Sequence, residues 1–214
     1  MLKKLFLLLC AGMLLSCLNL PVAAQDEDTD TEAETEQVET ISIPELVSKA
    51  EFVTKVKPGK KAVVYYFLRS HARCGFCRHI VPQMNELYKE MKGKGAELIM
   101  LNGDPNTETA KKWAAESDIQ IPMITPESGG SIASVVPGGG TGGSPNVMAV
   151  MADGTQIEGT SGASKCPALV GTWKDMVKEA RKAERTKAAA QKKAKAKAKA
   201  KKKKKKKAAA SEDL

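Results

Sequence analysis

Residues 62–91 decide the fold, and they read AVVYYFLRSHARCGFCRHIVPQMNELYKEM. The stretch Ala62–Leu68 is a continuous run of apolar residues, mostly β-branched or aromatic, which is typical of a strand buried on both faces. From Gly75 to Met91 apolar residues recur every three or four positions, which predicts a helix with one buried stripe. The segment is therefore a strand that leads into a helix, with Cys74 and Cys77 at the junction.

Further strands and helices alternate around this segment. Ser42 followed three residues later by Glu45, with a proline between them, predicts the start of a short helix that ends near residue 52. An Asp153-Gly154 turn between two strand-like runs predicts a hairpin. The alternation favours an α/β fold with a central mixed sheet flanked by helices. The other predicted elements are strands at 96–101, 146–151 and 155–158, a helix at 106–116 and a last helix from Pro167 onward.

The paired cysteines sit at the place where a strand passes into a helix. A sulfur at the first turn of a helix meets free N–H groups and the positive end of the helix dipole, both of which favour an anion. Arg73 and Arg78 flank the pair and also favour a thiolate, the form that attacks a disulfide. We predict that Cys74 is the nucleophile and Cys77 the resolving thiol, with which it forms a disulfide. Gly75 and Phe76 are the spacer between them.

Two other interpretations of the cysteine pair compete with the redox prediction. Cys-x-x-Cys supplies half of many zinc sites, but a second such pair is missing and only His71, His79 and Cys166 are candidates for the remaining ligands. An inert structural disulfide is the other alternative. The placement of the pair between strand and helix favours the redox prediction, so no metal and no cofactor are expected.

Four stretches of the chain resemble the thioredoxin superfamily, and within it the thioredoxin-like thiol-disulfide oxidoreductases of the bacterial envelope, which include the cytochrome c maturation reductases. The resemblance covers residues 42–180. It implies a thioredoxin-like fold and reversible exchange with protein thiols and disulfides, with the reductase direction favoured, and an upstream membrane redox donor or acceptor. The stretches are residues 59–87, 97–102, 110–113 and 144–154.

The same resemblance implies a cis-proline that faces the paired cysteines and docks substrate. Pro145 occupies the matching place, so a cis bond is predicted between Ser144 and Pro145. Pro122 competes for this role, but a strand and the hairpin follow Pro145 directly.

The chain departs from the family pattern near the cysteines. Arg73 stands where the family usually has tryptophan, and the strand at 62–68 lacks the acidic residue that moves protons in many relatives. His79 or His71 is a candidate substitute. A peroxiredoxin-like peroxidase is an alternative because the insert at 117–144 resembles that of such domains. Those proteins expect Thr or Ser three residues before the reactive cysteine, where this chain has His71.

The two ends of the chain differ from the domain between them. Residues 1–24 have the plan of a secretory signal peptide, so we expect export to the periplasm or cell envelope. A retained membrane anchor and a lipoprotein attached through Cys17 are alternatives. Residues 25–40 predict an acidic disordered leader, residues 41–185 the thioredoxin-like domain, and residues 186–214 a Lys/Ala-rich tail that is disordered or only fractionally helical.

Charge is concentrated in the tail. Residues 181–207 contain 16 Lys and Arg against one acid, whereas residues 40–180 are nearly neutral with 16 basic and 14 acidic side chains. The tail therefore predicts binding to an anionic envelope polymer or lipid, and export argues against nucleic acid. A non-catalytic envelope-binding module, with a thioredoxin-like docking domain and a polybasic tail, is the alternative from a different functional class.

Overall fold

The computed structural model describes residues 42–136 and 143–209. The predicted signal peptide and the whole of the predicted acidic leader lie outside the described residues, as do the last five residues of the tail. Within the described ranges, no helix is both long and apolar enough to cross a bilayer.

Five strands and six helices follow one another in the described chain. The predicted order is confirmed, with two elements added inside the insert at 117–144: a two-residue strand and a short helix. The elements are α1 (Ile43–Lys49), β1 (Val64–Ser70), α2 (Gly75–Met91), β2 (Ala96–Asn102), α3 (Thr107–Glu116), β3 (Met123–Ile124), α4 (Pro126–Val135), β4 (Asn146–Met151), β5 (Gln156–Ser161), α5 (Lys165–Gly171) and α6 (Trp173–Ala209).

The strands form one mixed sheet in the order β3-β2-β1-β4-β5. β1 pairs in parallel with β2, and β2 pairs in parallel with β3. β4 pairs antiparallel with β1, and β5 pairs antiparallel with β4. In the β1–β2 register Ser70 lies opposite Asn102. The carboxyl ends of β1 and β2 therefore meet at one edge of the sheet, and the residues that follow them share that edge.

Helices cover both faces of the sheet, as the continuous apolar sequence of β1 predicts. On one face α2, α3, α5 and the start of α6 pack against the side chains of Tyr66, Leu68, Leu98 and Met100. On the other face α1 and α4 pack against a second cluster that includes Phe67. The mixed α/β architecture predicted from the sequence is confirmed.

The last helix differs from the expectation in two ways. The predicted single helix from Pro167 is two helices, because α5 ends at Gly171 and its C-cap Thr172 donates its hydroxyl to the Leu169 carbonyl oxygen over 2.7 Å. The structure also continues α6 to Ala209, where the sequence predicted a tail that is disordered or only fractionally helical. Alanine and lysine have high helix propensity, and the packed first turns around Trp173 and Val177 remove the cost of nucleation for the residues that follow.

Candidate active site

Cys74 is the N-cap residue of α2 and has extended backbone angles. Its Sγ accepts a hydrogen bond from the backbone N–H of Cys77 over 3.1 Å. The two sulfurs lie at disulfide distance, with the Cα atoms 5.1 Å apart. Cys74 is partly exposed, whereas Cys77 is fully buried beneath it. The arrangement provides one accessible sulfur at a helix N-terminus and a second, protected sulfur within bonding reach.

A cis peptide bond joins Ser144 to Pro145, as predicted. It brings the Ser144 carbonyl oxygen to 3.4 Å from Cys74 Sγ. The Pro145 carbonyl oxygen in turn accepts a hydrogen bond from Gly162 N–H over 2.8 Å, which attaches the turn between β5 and α5 to this loop. Among the described residues no other peptide bond is cis, so the competing role for Pro122 finds no support in the backbone geometry.

A groove of about 840 Å³ runs beside the cysteine pair. Phe76 forms part of its wall and is 70% exposed, although buried aromatic rings are the rule in this domain. An apolar ring held in solvent beside a reactive sulfur is suited to contact an apolar side chain of a bound peptide. The groove is lined by Phe76, His79, Ile80, Gln83, Ser144, Pro145, Gly162, Ala163, Ser164, Pro167 and Ala168.

The structure adds a residue that the sequence reasoning missed. Asp104 follows β2 at the same sheet edge as the cysteines and is only 5% exposed. Its carboxylate accepts the backbone N–H of Ala72, two residues before Cys74, with oxygen distances of 3.0 and 3.3 Å. The Asn102-Gly103-Asp104 sequence after an apolar strand is a turn signal that could have pointed to this position.

A second buried carboxylate lies far from the cysteines. Glu97 is near the start of β2, opposite Tyr65, and its Oε2 accepts the Gly59 N–H over 2.8 Å. Burial raises the pKa of Glu97 to about 7, and the hydrogen bond from Gly59 together with the charge of Lys92 opposes that rise only in part. Glu97 lies five positions before Asn102 along β2, which is about 16 Å at the usual rise. Glu97 is therefore unsuited to carry protons to Cys77.

The other residues singled out from the sequence take less central places. His79 and Arg73 are exposed, and His71 is partly exposed with its carbonyl oxygen accepting the Cys74 N–H over 3.2 Å. Cys166 is buried and unpaired, and burial raises the pKa of its thiol to about 11, which makes it an inert bystander. Among the described residues, no three His, Cys, Asp or Glu side chains group as a metal site.

The AhpC/TSA family model matches residues 30–134, about half of the chain, which include the strand, the cysteine pair and the helix described above. The chain contains an AhpC/TSA-family, thioredoxin-like domain. The resemblance to the thioredoxin superfamily seen in the sequence is thereby confirmed.

Curated relatives match this AhpC/TSA-family chain over a shorter stretch. The thiol-disulfide oxidoreductase ResA of Bacillus thuringiensis subsp. konkukian is 34% identical over 56 residues, which are 26% of this chain and 32% of that protein. A ResA of Bacillus cereus is 36% identical over 50 residues, or 23% of this chain and 29% of that protein. The match thus spans about a third of the length of these relatives.

Among solved structures, a putative thiol:disulfide interchange protein DsbE from Chlorobium tepidum is similar with a TM-score of 0.45 and 20% identity, covering 60% of this chain and 96% of that one. StoA from Bacillus subtilis is similar with a TM-score of 0.41 and 13% identity, covering 50% and 82% of the two chains.

Proposed function

We propose that this AhpC/TSA-family protein is an exported thiol-disulfide oxidoreductase that exchanges disulfides with protein substrates through Cys74 and Cys77. The observation that carries the proposal is the geometry at the start of α2, where Cys74 Sγ accepts the Cys77 N–H over 3.1 Å and faces the Ser144 carbonyl oxygen at 3.4 Å. A helix N-terminus lowers the free energy of a thiolate at that position. The names of the ResA relatives support the same activity.

In the reductase direction the proposed reaction has two exchange steps. The Cys74 thiolate attacks one sulfur of a substrate disulfide, so that a Cys74–substrate bond forms, the substrate bond breaks and the departing sulfur takes a proton from solvent. Cys77 then loses its proton and attacks Cys74 Sγ, which forms the Cys74–Cys77 disulfide and releases the second substrate thiol. Two electrons and two protons pass to the substrate, and the reverse sequence describes oxidation.

The roles of the two sulfurs follow from their exposure. Cys74 is partly exposed and lies against Ser144, which lines the groove, so a substrate sulfur can approach it, whereas Cys77 is buried and within bonding reach of Cys74. Ser144 and Pro145 supply the docking edge, where a peptide in extended conformation would lie across the cis bond. Gly75 adds no side chain at this edge, and Phe76 offers an apolar contact.

Export to the periplasm or cell envelope is part of the proposal and is supported by the signal-like pattern of residues 1–24. Disulfide exchange with envelope proteins then requires a membrane redox partner to restore the starting state of the cysteine pair. The polybasic end of α6 is proposed to bind an anionic envelope polymer or lipid. Residues 184–199 are all exposed, so their lysines can meet such a surface without unfolding the domain.

Trapping of the mixed disulfide tests the proposed exchange. A Cys77→Ser variant is incubated with an oxidised protein substrate such as insulin, and the products are read by mass. We expect a covalent adduct at Cys74 that dithiothreitol reverses, and no adduct for Cys74→Ser. Equal reduction of insulin by the double serine variant and the wild type would contradict the proposal and favour the non-catalytic binding module.

The same two variants separate the proposed activity from a peroxidase. An exchange enzyme consumes hydrogen peroxide slowly, at the rate of an ordinary exposed thiolate, and transfers disulfides quickly. Rapid peroxide consumption that needs Cys74 but not Cys77, without transfer of disulfides to insulin, would identify the peroxiredoxin-like alternative instead.

A further inference from the structure

The backbone before Cys74 is held from both sides at a single residue, Ala72. Its N–H donates to both carboxylate oxygens of Asp104, at 3.0 and 3.3 Å. Its carbonyl oxygen accepts a hydrogen bond from Arg78 Nε over 2.9 Å. Arg78 lies in the first turn of α2, and its own N–H donates to the Cys74 carbonyl oxygen over 3.2 Å. Asp104 and Arg78 together therefore fix the backbone at Ala72, two residues before Cys74 at the start of the helix.

Asp104 is itself held in one orientation. Its Oδ2 accepts a hydrogen bond from Asn102 Nδ2 over 3.0 Å, and its backbone N–H donates to Asn102 Oδ1 over 2.7 Å. The intervening Gly103 N–H donates to the Ser70 carbonyl oxygen over 2.9 Å, which joins the end of β2 to the end of β1. A buried carboxylate is stable only when hydrogen bonds replace its lost water, and here the Asn102 amide and the Ala72 N–H do so.

The position of Ala72 determines where the helix begins. The Cys74 N–H donates to the His71 carbonyl oxygen over 3.2 Å, so the turn that Asp104 holds is the turn that places Cys74 at the N-cap. Only at that cap does Sγ meet the Cys77 N–H. A looser turn would weaken this hydrogen bond and move the sulfur away from the positive end of the helix dipole.

We propose that Asp104 is a positioning residue for Cys74, which it holds at the helix N-cap through the Ala72 N–H. The inference rests on the proposed function only in taking the Cys74 thiolate as the attacking species. It assigns Asp104 no contact with substrate and no proton transfer. Asp104 thus acts through the backbone.

Two substitutions separate the hydrogen bond of Asp104 from its charge. Asp104→Asn removes the negative charge near the sulfur and retains one oxygen that can accept the Ala72 N–H, but its amide nitrogen replaces the oxygen that accepts from Asn102 Nδ2. Asp104→Ala removes the charge and both oxygens. If the hydrogen bond to Ala72 matters most, the alanine variant destabilises the thiolate more than the asparagine variant does, because asparagine keeps that hydrogen bond and the variant also loses a neighbouring negative charge.

The experiment follows alkylation of fully reduced protein by iodoacetamide from pH 4 to 10, with the Cys74 peptide quantified by mass spectrometry. For Asp104→Ala we expect the midpoint of the rate profile to rise by about 0.5 pH unit, with an alkylation rate about threefold lower below the midpoint. For Asp104→Asn we expect a smaller rise than for Asp104→Ala, because the asparagine keeps one acceptor for the Ala72 N–H but loses the hydrogen bond from Asn102 Nδ2. Asn102→Ala removes both hydrogen bonds between the Asn102 side chain and Asp104 without changing any charge. It should shift the midpoint upward, as Asp104→Ala does.

A control variant accounts for lost stability. Ile132→Val removes a methylene from the core on the opposite face of the sheet and should lower stability without moving the midpoint. The inference is overturned if Asp104→Ala and Asn102→Ala both give the wild-type profile, or if Asp104→Asn shifts the midpoint upward as far as Asp104→Ala. Should Asp104→Ala not fold, Asn102→Ala alone decides. The alkylation profile reports on the Cys74 thiol alone, so it can be measured even if the wild type does not exchange disulfides. Failure of this inference and failure of the proposed function are therefore distinguishable.

Discussion

Replacing the buried Glu97 by glutamine should change how stability depends on pH without changing the thiol chemistry. Burial raises the pKa of Glu97 to about 7 in the folded protein, against 4.5 for an unperturbed glutamate. The folded state therefore binds the proton more tightly than the unfolded chain. The resulting stabilisation is fully present below pH 4.5 and is lost as the pH rises through 7.

The size of the effect follows from the two pKa values. A difference of about 2.5 corresponds to about 3 kcal/mol at full ionisation, and most of it is lost between about pH 5 and 7. Glutamine retains an oxygen for the Gly59 N–H and does not ionise. Relative to the wild type, Glu97→Gln should therefore gain on the order of 3 kcal/mol in stability on going from about pH 4.5 to pH 8.

Urea unfolding of the oxidised protein at several pH values between about 4.5 and 8 measures this difference. Trp113 and Trp173 are the two tryptophans, both are buried, and their fluorescence reports on unfolding. Other titrating groups contribute equally to both proteins, so the difference between the two curves isolates Glu97. Parallel curves would refute the reasoning. A changed alkylation profile of Cys74 in Glu97→Gln would contradict the placement of Glu97 about 16 Å from the active-site edge.

Other substitutions give further expected outcomes. Phe76→Ala should raise KM for a protein substrate severalfold through loss of the exposed ring, while the reduction potential of the pair stays constant; an unchanged KM would remove the groove from substrate binding. Cys166→Ala should cost about 1 kcal/mol in urea unfolding and leave insulin reduction intact, and lost reduction would show that the buried thiol takes part. Lys187→Ala removes the 2.7 Å ion pair with Asp153 and should change stability by less than about 1 kcal/mol because the pair is partly exposed; a larger loss in about 1 M salt than in dilute buffer would contradict an electrostatic origin.

The sequence was sufficient for the centre of the fold because its signals there are local. β1 is a continuous apolar run, α2 has a regular stripe, and the cysteines mark the junction between them. The family resemblance implies a cis-proline, and the strand and turn that directly follow Pro145 favour it over Pro122. Each of these features lies within a few residues along the chain, and the structure confirms them.

The remaining features depend on contacts between distant residues. β3 is only two residues long and exists through pairing with Met100 and Leu101 and a bridge from Phe52 to Ile124. The role of Asp104 depends on the register that sets Asn102 beside Ser70, which no local pattern encodes. The short helix α4 did have a local signal. Thr125 caps it through the Ser128 N–H, with Pro126 in its first turn, and this pattern was overlooked within the insert.

The reduction potential of the Cys74–Cys77 pair tests the central claim most directly. The purified protein is equilibrated in glutathione or dithiothreitol redox buffers, the thiols are alkylated after acid quenching, and the amount of each species is measured by mass spectrometry. The account predicts a reversible two-electron couple confined to Cys74 and Cys77, nearer to about −270 mV for a reductase than to about −120 mV for an oxidant. The absence of any reversible couple between these two cysteines would contradict it.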